Sequence, residues 1–439
     1  MFRRIVLSIV VLVNSVVPMS YDPDVNGLIS RFKSETCCSS VSAVVYDHGE
    51  LSYYGDSSAL YQIGSMTKSF TGLGIQKLIG SGVISNTDKV SDLIPGFTAY
   101  YDSAEVDITV ENLLTQRSGF TNSETDYPSA TADMDLNEWA MSISGRELKS
   151  MPGTEYSYSN VNYNLLGLII ENVTGMSYRE YMESEVLKPL GLDSTFVGVP
   201  ENTDRIVSGT RLGFRNVFEY DVAVREASIP AGYFYSDVED IGLWMKAWIE
   251  GADPDMEAVI GRLVNEGDCY AGLERFEGDI IGHSGGTPNY SSRFVFSRSE
   301  EVGVCVLTNL NVASTTDSLC NNIFAVVCGH EVQSLVCDVW TVFDIIFTSV
   351  SVFGIAVLIL AVLIRKKGVL IAIASTLALL EILILILFPV IFGAGIRDIA
   401  LTWAPWSFLA GTILLAADCL SIIIKLCVVK VNEGRAKTG

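Results

Sequence analysis

Ser65 and Lys68 lie three residues apart in Tyr61-Gln62-Ile63-Gly64-Ser65-Met66-Thr67-Lys68-Ser69-Phe70. A serine hydroxyl is a poor nucleophile at neutral pH. An amine within hydrogen-bond reach can take its proton, provided burial or nearby positive charge keeps that amine neutral. Phe70, Leu73, Leu78 and Ile79 fall near helical spacing and Gly80 closes the run. Ser65 and Lys68 therefore share one face at the mouth of a helix, whose N-terminus also favours developing negative charge. Taken alone, Ser-x-x-Lys also reads as a solvated helix face.

Two further groups have chemistry-bearing spacing. Tyr158-Ser159-Asn160 ends a loop that begins at Pro152-Gly153 and leads into the apolar run Val161 to Val173. A tyrosine beside a lysine can shuttle a proton, each easing the other's ionisation when positive charge is near. The plain alternative is an aromatic residue and a helix cap. Downstream, Ile280-Ile281-Gly282-His283-Ser284-Gly285-Gly286 reads as an edge strand whose glycines let a substrate backbone lie close.

The elements that must carry these groups alternate in texture. Residues 41 to 64 read as strands, Val41 to Tyr46 and Leu51 to Tyr54, with His48 in the turn between them. The polar stretch 121 to 150 reads as a helical insertion over one side of a cleft. Helices are expected through Tyr178 to Leu187 and Asp237 to Ile249, a helix and loop over 251 to 275, and strands over Ser292 to Ser297 and Val302 to Thr308.

A mean hydropathy of +0.36 is high for a water-soluble chain of 439 residues. The excess sits in three apolar runs, 343–364, 369–392 and 406–429, each near the ~20 residues a bilayer requires. Arg3-Arg4 followed by Ile5 to Val17 has the form of an export signal over residues 1–20, with an uncleaved anchor as the alternative. Residues 21–338 are then an extracytoplasmic domain, residues 339–429 a three-helix anchor, and residues 430–439 a cytoplasmic tail. The basic loop Arg365-Lys366-Lys367 agrees, since positive charge collects on the cytoplasmic side. Residues 1–338 carry 21 Lys and Arg against 46 Asp and Glu. So acidic a surface excludes a phosphate-neutralising face, and nucleic acid with it; it reads first as solubility, with attraction of a cationic substrate or repulsion from anionic lipid headgroups as alternatives. Glu381 and Asp418 fall near the middle of the second and third runs. They read as polar locks between helices, or alternatively as a contact with a transporter or precursor.

Seven cysteines lie outside the apolar runs, so at least one is unpaired; Cys320 and Cys328 are close enough in sequence to close a small loop. His48, His283 and His330 are scattered and no metal-ligand spacing appears, so neither a metal nor a cofactor is expected.

In order, Ser65-x-x-Lys68, Tyr158-x-Asn160 and His283-Ser284-Gly285 resemble the motifs of the penicillin-recognising serine hydrolases, the group of class C β-lactamases, D-Ala-D-Ala peptidases and related esterases. Leu113-Leu114-Thr115-x-x-Ser118-Gly119, Pro189-Leu190-Gly191-Leu192 and Pro230-Ala231-Gly232 extend the likeness over about residues 30 to 330. The resemblance implies an α/β fold of the β-lactamase/transpeptidase type, an antiparallel sheet flanked by helices with a helical subdomain. It implies Ser65 as the acylated nucleophile, Lys68 as its base and Tyr158 as proton relay. The oxyanion would rest on the backbone N–H groups of Ser65 and Gly286. His283 stands where the group usually has lysine, and histidine binds a carboxylate less securely. A narrower similarity, through Pro288-Asn289-Tyr290-Ser291-Ser292 and the three C-terminal runs, is to prodrug-activating membrane peptidases of the colibactin-maturing type. There an asparagine at the position of Asn289 reads the side chain of an N-acyl-D-Asn cap; the alternatives for Asn289 are a turn residue after Pro288 or a glycosylation acceptor in Asn289-Tyr290-Ser291. Asn160 keeps the general pattern where that type has serine. The implied activity is that of a peptidase or amidase on D-amino-acid or N-acyl-D-Asn substrates. An esterase or β-lactamase, or a non-catalytic sensor keeping the fold, are the alternatives.

Overall fold

The structure, a computed structural model, describes residues 24–438 apart from 124–126, 128, 132 and 268. The signal expected over residues 1–20 lies outside the described residues. Contacts divide the chain into a large unit up to Val336 and a helical unit from Cys337 onward, and the helical unit also takes in Arg211–Phe218.

The large unit opens with α1 (Val25–Thr36), then β1 (Val41–Asp47) and β2 (Glu50–Tyr54). A 3-10 turn, Gly64–Met66, leads into α2 (Thr67–Gly80), and α3 (Asn160–Thr174) and α4 (Val238–Glu250) follow after long connections. The chain then builds β3 (Cys269–Tyr270), β4 (Leu273–Arg275), β5 (Ile281–Gly286), β6 (Ser291–Ser297) and β7 (Val302–Thr308), and closes with α5 (Ala313–Val327). The strands form one antiparallel sheet in the order β2-β1-β7-β6-β5-β4-β3. Every residue of β6 and β7 is buried, because helices α4 and α5 cover them. This accounts for runs such as Val302–Leu307 that do not alternate.

Capping fixes the helix ends that matter. Ser159 accepts from the Val161 N–H at the start of α3, and Gly175 in the left-handed region ends it. Asp237 accepts from the Asp240 N–H at the start of α4. Helix α2 is buried on almost all sides, with Phe70 fully enclosed and stacked on Trp244 of α4 at a centroid distance of 3.9 Å. Phe70→Ala leaves a cavity under the Ser65 turn, and we expect it to lower unfolding free energy by about 3–5 kcal/mol. Thermal unfolding of the full chain in detergent, followed by tryptophan fluorescence, measures the loss.

Three sequence expectations need correction. Residues 269–275 are strands, not loop: two very short strands meet at Ala271 and Gly272, both at positive φ. Their brevity and the polar pair Glu274-Arg275 hid the pattern. In β5, Ile281 and Gly282 are covered by β4, so only the His283–Gly286 half is an open edge. No disulfide joins Cys320 to Cys328. Cys320 lies inside α5 and Cys328 caps it, eight residues on and so roughly 12 Å along the helix axis, too far to bridge.

In the helical unit, α6 (Val339–Leu363), α7 (Lys367–Phe392) and α8 (Trp406–Thr438) are each long and apolar enough to cross a membrane. Asp344, fully buried on α6, accepts from the backbone N–H groups of Phe214 (2.8 Å) and Arg215 (2.7 Å) and from the Ser407 hydroxyl (2.7 Å). Arg211 donates to the carbonyls of Ala404, Leu401 and Ala400 and covers the Trp406 ring. A hairpin tip with two successive left-handed residues, Phe214 and Arg215, is thus built into this unit, and its sequence shows no sign of it. Asp418 is buried beside Gly354 of α6, where a larger residue would meet its carboxylate.

Candidate active site

Backbone geometry at Gly64 brings the parts together. Its φ of +53° favours glycine, and a Cβ there would lie 2.6 Å from the Gly286 nitrogen. Only a bare Cα lets β5 approach the turn that carries Ser65. Gly285 is restricted in the same way, since its Cβ would sit 2.1 Å from the Ile63 carbonyl oxygen. Ser292 of β6 donates to that same Ile63 oxygen at 2.7 Å, and Thr67 donates to the Gly64 carbonyl at 2.7 Å. The Ser65 turn is therefore held from the sheet side and from α2, with the backbone of Gly286 against it.

Lys68 is fully buried one turn further along. Its Nζ lies 2.9 Å from Ser65 Oγ, 2.8 Å from Asn160 Oδ1 and 2.5 Å from the Ala231 carbonyl oxygen. Burial pushes its pKa down to about 7, against a small upward pull from Glu274. Asn160 Oδ1 and Ala231 O can only accept, so a neutral amine spends its two N–H groups on them and turns its lone pair to Ser65. That is the orientation of a general base.

Tyr158 donates from Oη to Ser65 Oγ at 2.7 Å, and Lys68 Nζ lies 4.9 Å from the centre of its ring. The expectation that lysine eases its ionisation is overturned: burial dominates and pushes the phenol well above the ordinary tyrosine range, with the Ser65 hydroxyl only partly offsetting it. Tyr158 stays a phenol and is placed to give a proton. The loop that presents it is pinned by Gln116, whose Oε1 accepts from the Ser159 N–H at 2.9 Å and from the Asn162 amide. Gln116 itself has a φ of +58°.

His283 is buried on β5 with its ring 6.2 Å from that of Tyr158, and Nδ1 is 2.5 Å from the Ser284 carbonyl oxygen. Burial first, then Lys68 and Arg293, push its pKa down to about 4, so it is neutral at pH 7. The strand thus offers no cation at this position. Ser284 Oγ accepts from Arg293 Nη1 at 2.7 Å. Asn289 is buried, donates from Nδ2 to the Tyr220 carbonyl oxygen at 2.8 Å and accepts from the Thr287 hydroxyl at 3.2 Å. Its side chain braces the loop at 220 in this structure.

Ser65, Lys68, Tyr158, Asn160, His283, Gly285 and Gly286 therefore converge, and Ser284 and Asn289 flank them. Sequence reasoning missed Ala231, whose role is a backbone carbonyl that leaves no side-chain signal. It also missed Glu274, which accepts from Tyr156 Oη at 3.1 Å beside the site.

Among known proteins, Protein flp of Staphylococcus aureus (strain N315) is 28% identical over 379 residues, covering 79% of this chain and 75% of that protein. The octameric penicillin-binding protein homologue from Pyrococcus abyssi superposes with a TM-score of 0.62 at 22% identity, over 74% of this chain and 80% of its own. A D-stereospecific amidohydrolase from Streptomyces sp. superposes at 0.56 and 21% identity, over 70% of this chain and 100% of its own. At those identities the two structures establish the shared fold. The Beta-lactamase family profile matches residues 25–321, the span that holds the serine, the lysine, the tyrosine and strand β5, and the chain belongs to that family of serine hydrolases.

Proposed function

We propose that the protein is a membrane-anchored, outward-facing serine peptidase or amidase that works through an acyl-enzyme on Ser65. The observation that carries the reading is the double hydrogen bond at Ser65 Oγ, 2.9 Å from a buried amine with a pKa of about 7 and 2.7 Å from a phenol. Lys68 removes the serine proton, the N–H groups of Ser65 and Gly286 hold the oxyanion, and Tyr158 protonates the leaving group. The Lys68 ammonium returns its proton to Tyr158, and in deacylation the same groups take the proton of the attacking water and give it back to Ser65. Likeness in fold to a D-stereospecific amidohydrolase supports a D-amino-acid substrate. The three apolar helices and the basic Arg365-Lys366-Lys367 loop support the anchored, outward-facing orientation. A neutral His283 favours an esterase as the second reading, because an ester needs no carboxylate anchor on β5.

The test incubates the full chain in detergent with a fluorescent penicillin, N-acyl-D-Asn peptides and a chromogenic ester, then maps any adduct by mass. We expect an adduct on the peptide containing Ser65 and faster turnover of the D-amino-acid amide than of the ester. Faster ester turnover moves the assignment to an esterase. An adduct elsewhere, or none with any of the three, removes the acyl-enzyme reading.

A further inference from the structure

Glu274 is a carboxylate beside the nucleophile site that no step of the proposed chemistry uses. Three contacts locate it. Gly272, two residues before it, is pressed against the backbone of Lys68, where an added Cβ would lie 2.2 Å from the lysine carbonyl carbon and oxygen. Glu274 pairs across the sheet with Gly282, the residue before His283. Its Oε1 accepts from Oη of Tyr156, two residues before Tyr158. The side chain is partly exposed, and that tyrosine is its one hydrogen-bond partner and no cation pairs with it among the described residues. Its charge is felt at Lys68, Tyr158 and His283.

Among the described residues no cation faces Glu274 once Lys68 has lost its proton, since His283 is neutral and Arg293 is turned to Ser284, Asn321 and Asp317. A carboxylate so placed attracts a cation and repels an anion, and burial of its surroundings strengthens both effects. The strongly acidic unit around it steers the same class of ligand toward the mouth.

We propose that Glu274 is the specificity-determining residue of this site and that it selects acyl donors with a positive charge, such as a free ammonium, close to the scissile carbonyl. Glu274 takes no part in the bond changes; it pairs with the substrate ammonium before Ser65 attacks, and the ion pair persists in the acyl-enzyme. The inference rests on the acyl-enzyme reading and names its substrate class.

Three matched alkyl fluorophosphonates, ending in trimethylammonium, methyl or carboxylate, test it on the full chain in detergent, with labelling of Ser65 followed by mass. Labelling by the methyl probe shows Ser65 to be a nucleophile independently of Glu274, and its absence counts against the acyl-enzyme reading rather than the selectivity. We expect the trimethylammonium probe to react about tenfold faster than the methyl probe and the carboxylate probe to be slowest. Glu274→Gln brings the cation-to-neutral ratio down about tenfold, and Glu274→Lys inverts the order of the charged probes. Glu277→Gln, which removes the same charge from an exposed position three residues on, keeps the ratio. Raising the salt concentration lowers the wild-type ratio more than that of Glu274→Gln, whose remaining salt dependence is that of the acidic surface. A wild-type ratio near one, or a ratio that survives Glu274→Gln, overturns the proposal.

Discussion

Lys68→Ala lowers the rate of Ser65 acylation by roughly a thousandfold to ten-thousandfold, the range expected when a general base is removed from a nucleophile it directly contacts. The amine is the one basic group within hydrogen-bond distance of Ser65 Oγ among the described residues, at 2.9 Å. Its pKa of about 7 comes from burial, so the pH dependence follows with a definite sign. Below pH 7 the amine holds its proton and cannot accept another. Above it the neutral form predominates, so the acylation rate rises with pH, with a midpoint near 7, and then levels. Lys68→Arg separates chemistry from packing. It keeps a cation near Asn160 Oδ1 and the Ala231 carbonyl but cannot shed its proton, so its acylation is as slow as that of the alanine variant and its pH limb is gone. The two variants differ in stability, because alanine leaves both acceptors without a donor in a dry site. Stopped-flow acylation with a chromogenic ester across pH, beside a thermal unfolding curve for each variant, checks both parts. A rising limb that survives in Lys68→Arg would assign the base to another group.

Much of this site was legible before any coordinates, and the parts that were not share a cause. Ser65, Lys68 and Tyr158 carry nucleophilic or proton-moving side chains at fixed spacing, and each has a short motif around it. Close backbone approach at the β5 glycines was legible, but its partner was not: Gly282 and Gly285 lie against the chain's own backbone at Phe294 and Ile63 rather than against a substrate, and of the three only Gly286 is uncrowded. Ionisation was not legible. The same tyrosine-lysine pair reads as mutually easing from sequence, while burial, a property of the whole fold, makes Tyr158 a firm phenol and Lys68 a weak base. Ala231 contributes only a carbonyl, and Glu274 lies on a three-residue strand that carries no periodicity. The three apolar helices were plain from composition, with the starts of the first two a few residues earlier than expected, at Val339 after the Asp338 cap and at Lys367. The Arg211–Phe218 hairpin was invisible because its partners, Asp344 and the carbonyls of 400, 401 and 404, are well over a hundred residues away.

Tyr158→Phe, a change that removes one oxygen and leaves the ring against His283 and Lys68, slows acylation by an amide substrate roughly a hundredfold. The loss depends on the leaving group. An amide expels an amine that must be protonated as the bond breaks, and Tyr158 Oη, 2.7 Å from Ser65 Oγ and held as a phenol by burial, is the donor in position. A p-nitrophenyl ester expels a stable phenolate that needs no proton, so the same variant loses several times less on that substrate. By that stage Lys68 is an ammonium carrying the serine proton, but Asn160 and the Ala231 carbonyl anchor it, so its part is to return that proton to Tyr158. The ratio of the amide loss to the ester loss is therefore the informative quantity. Equal losses would mean that Tyr158 only orients Ser65, since orientation serves every acyl donor alike. A loss confined to the amide assigns the proton transfer to the phenol, and it also accounts for why burial at this position opposes ionisation: a tyrosinate would have no proton to give.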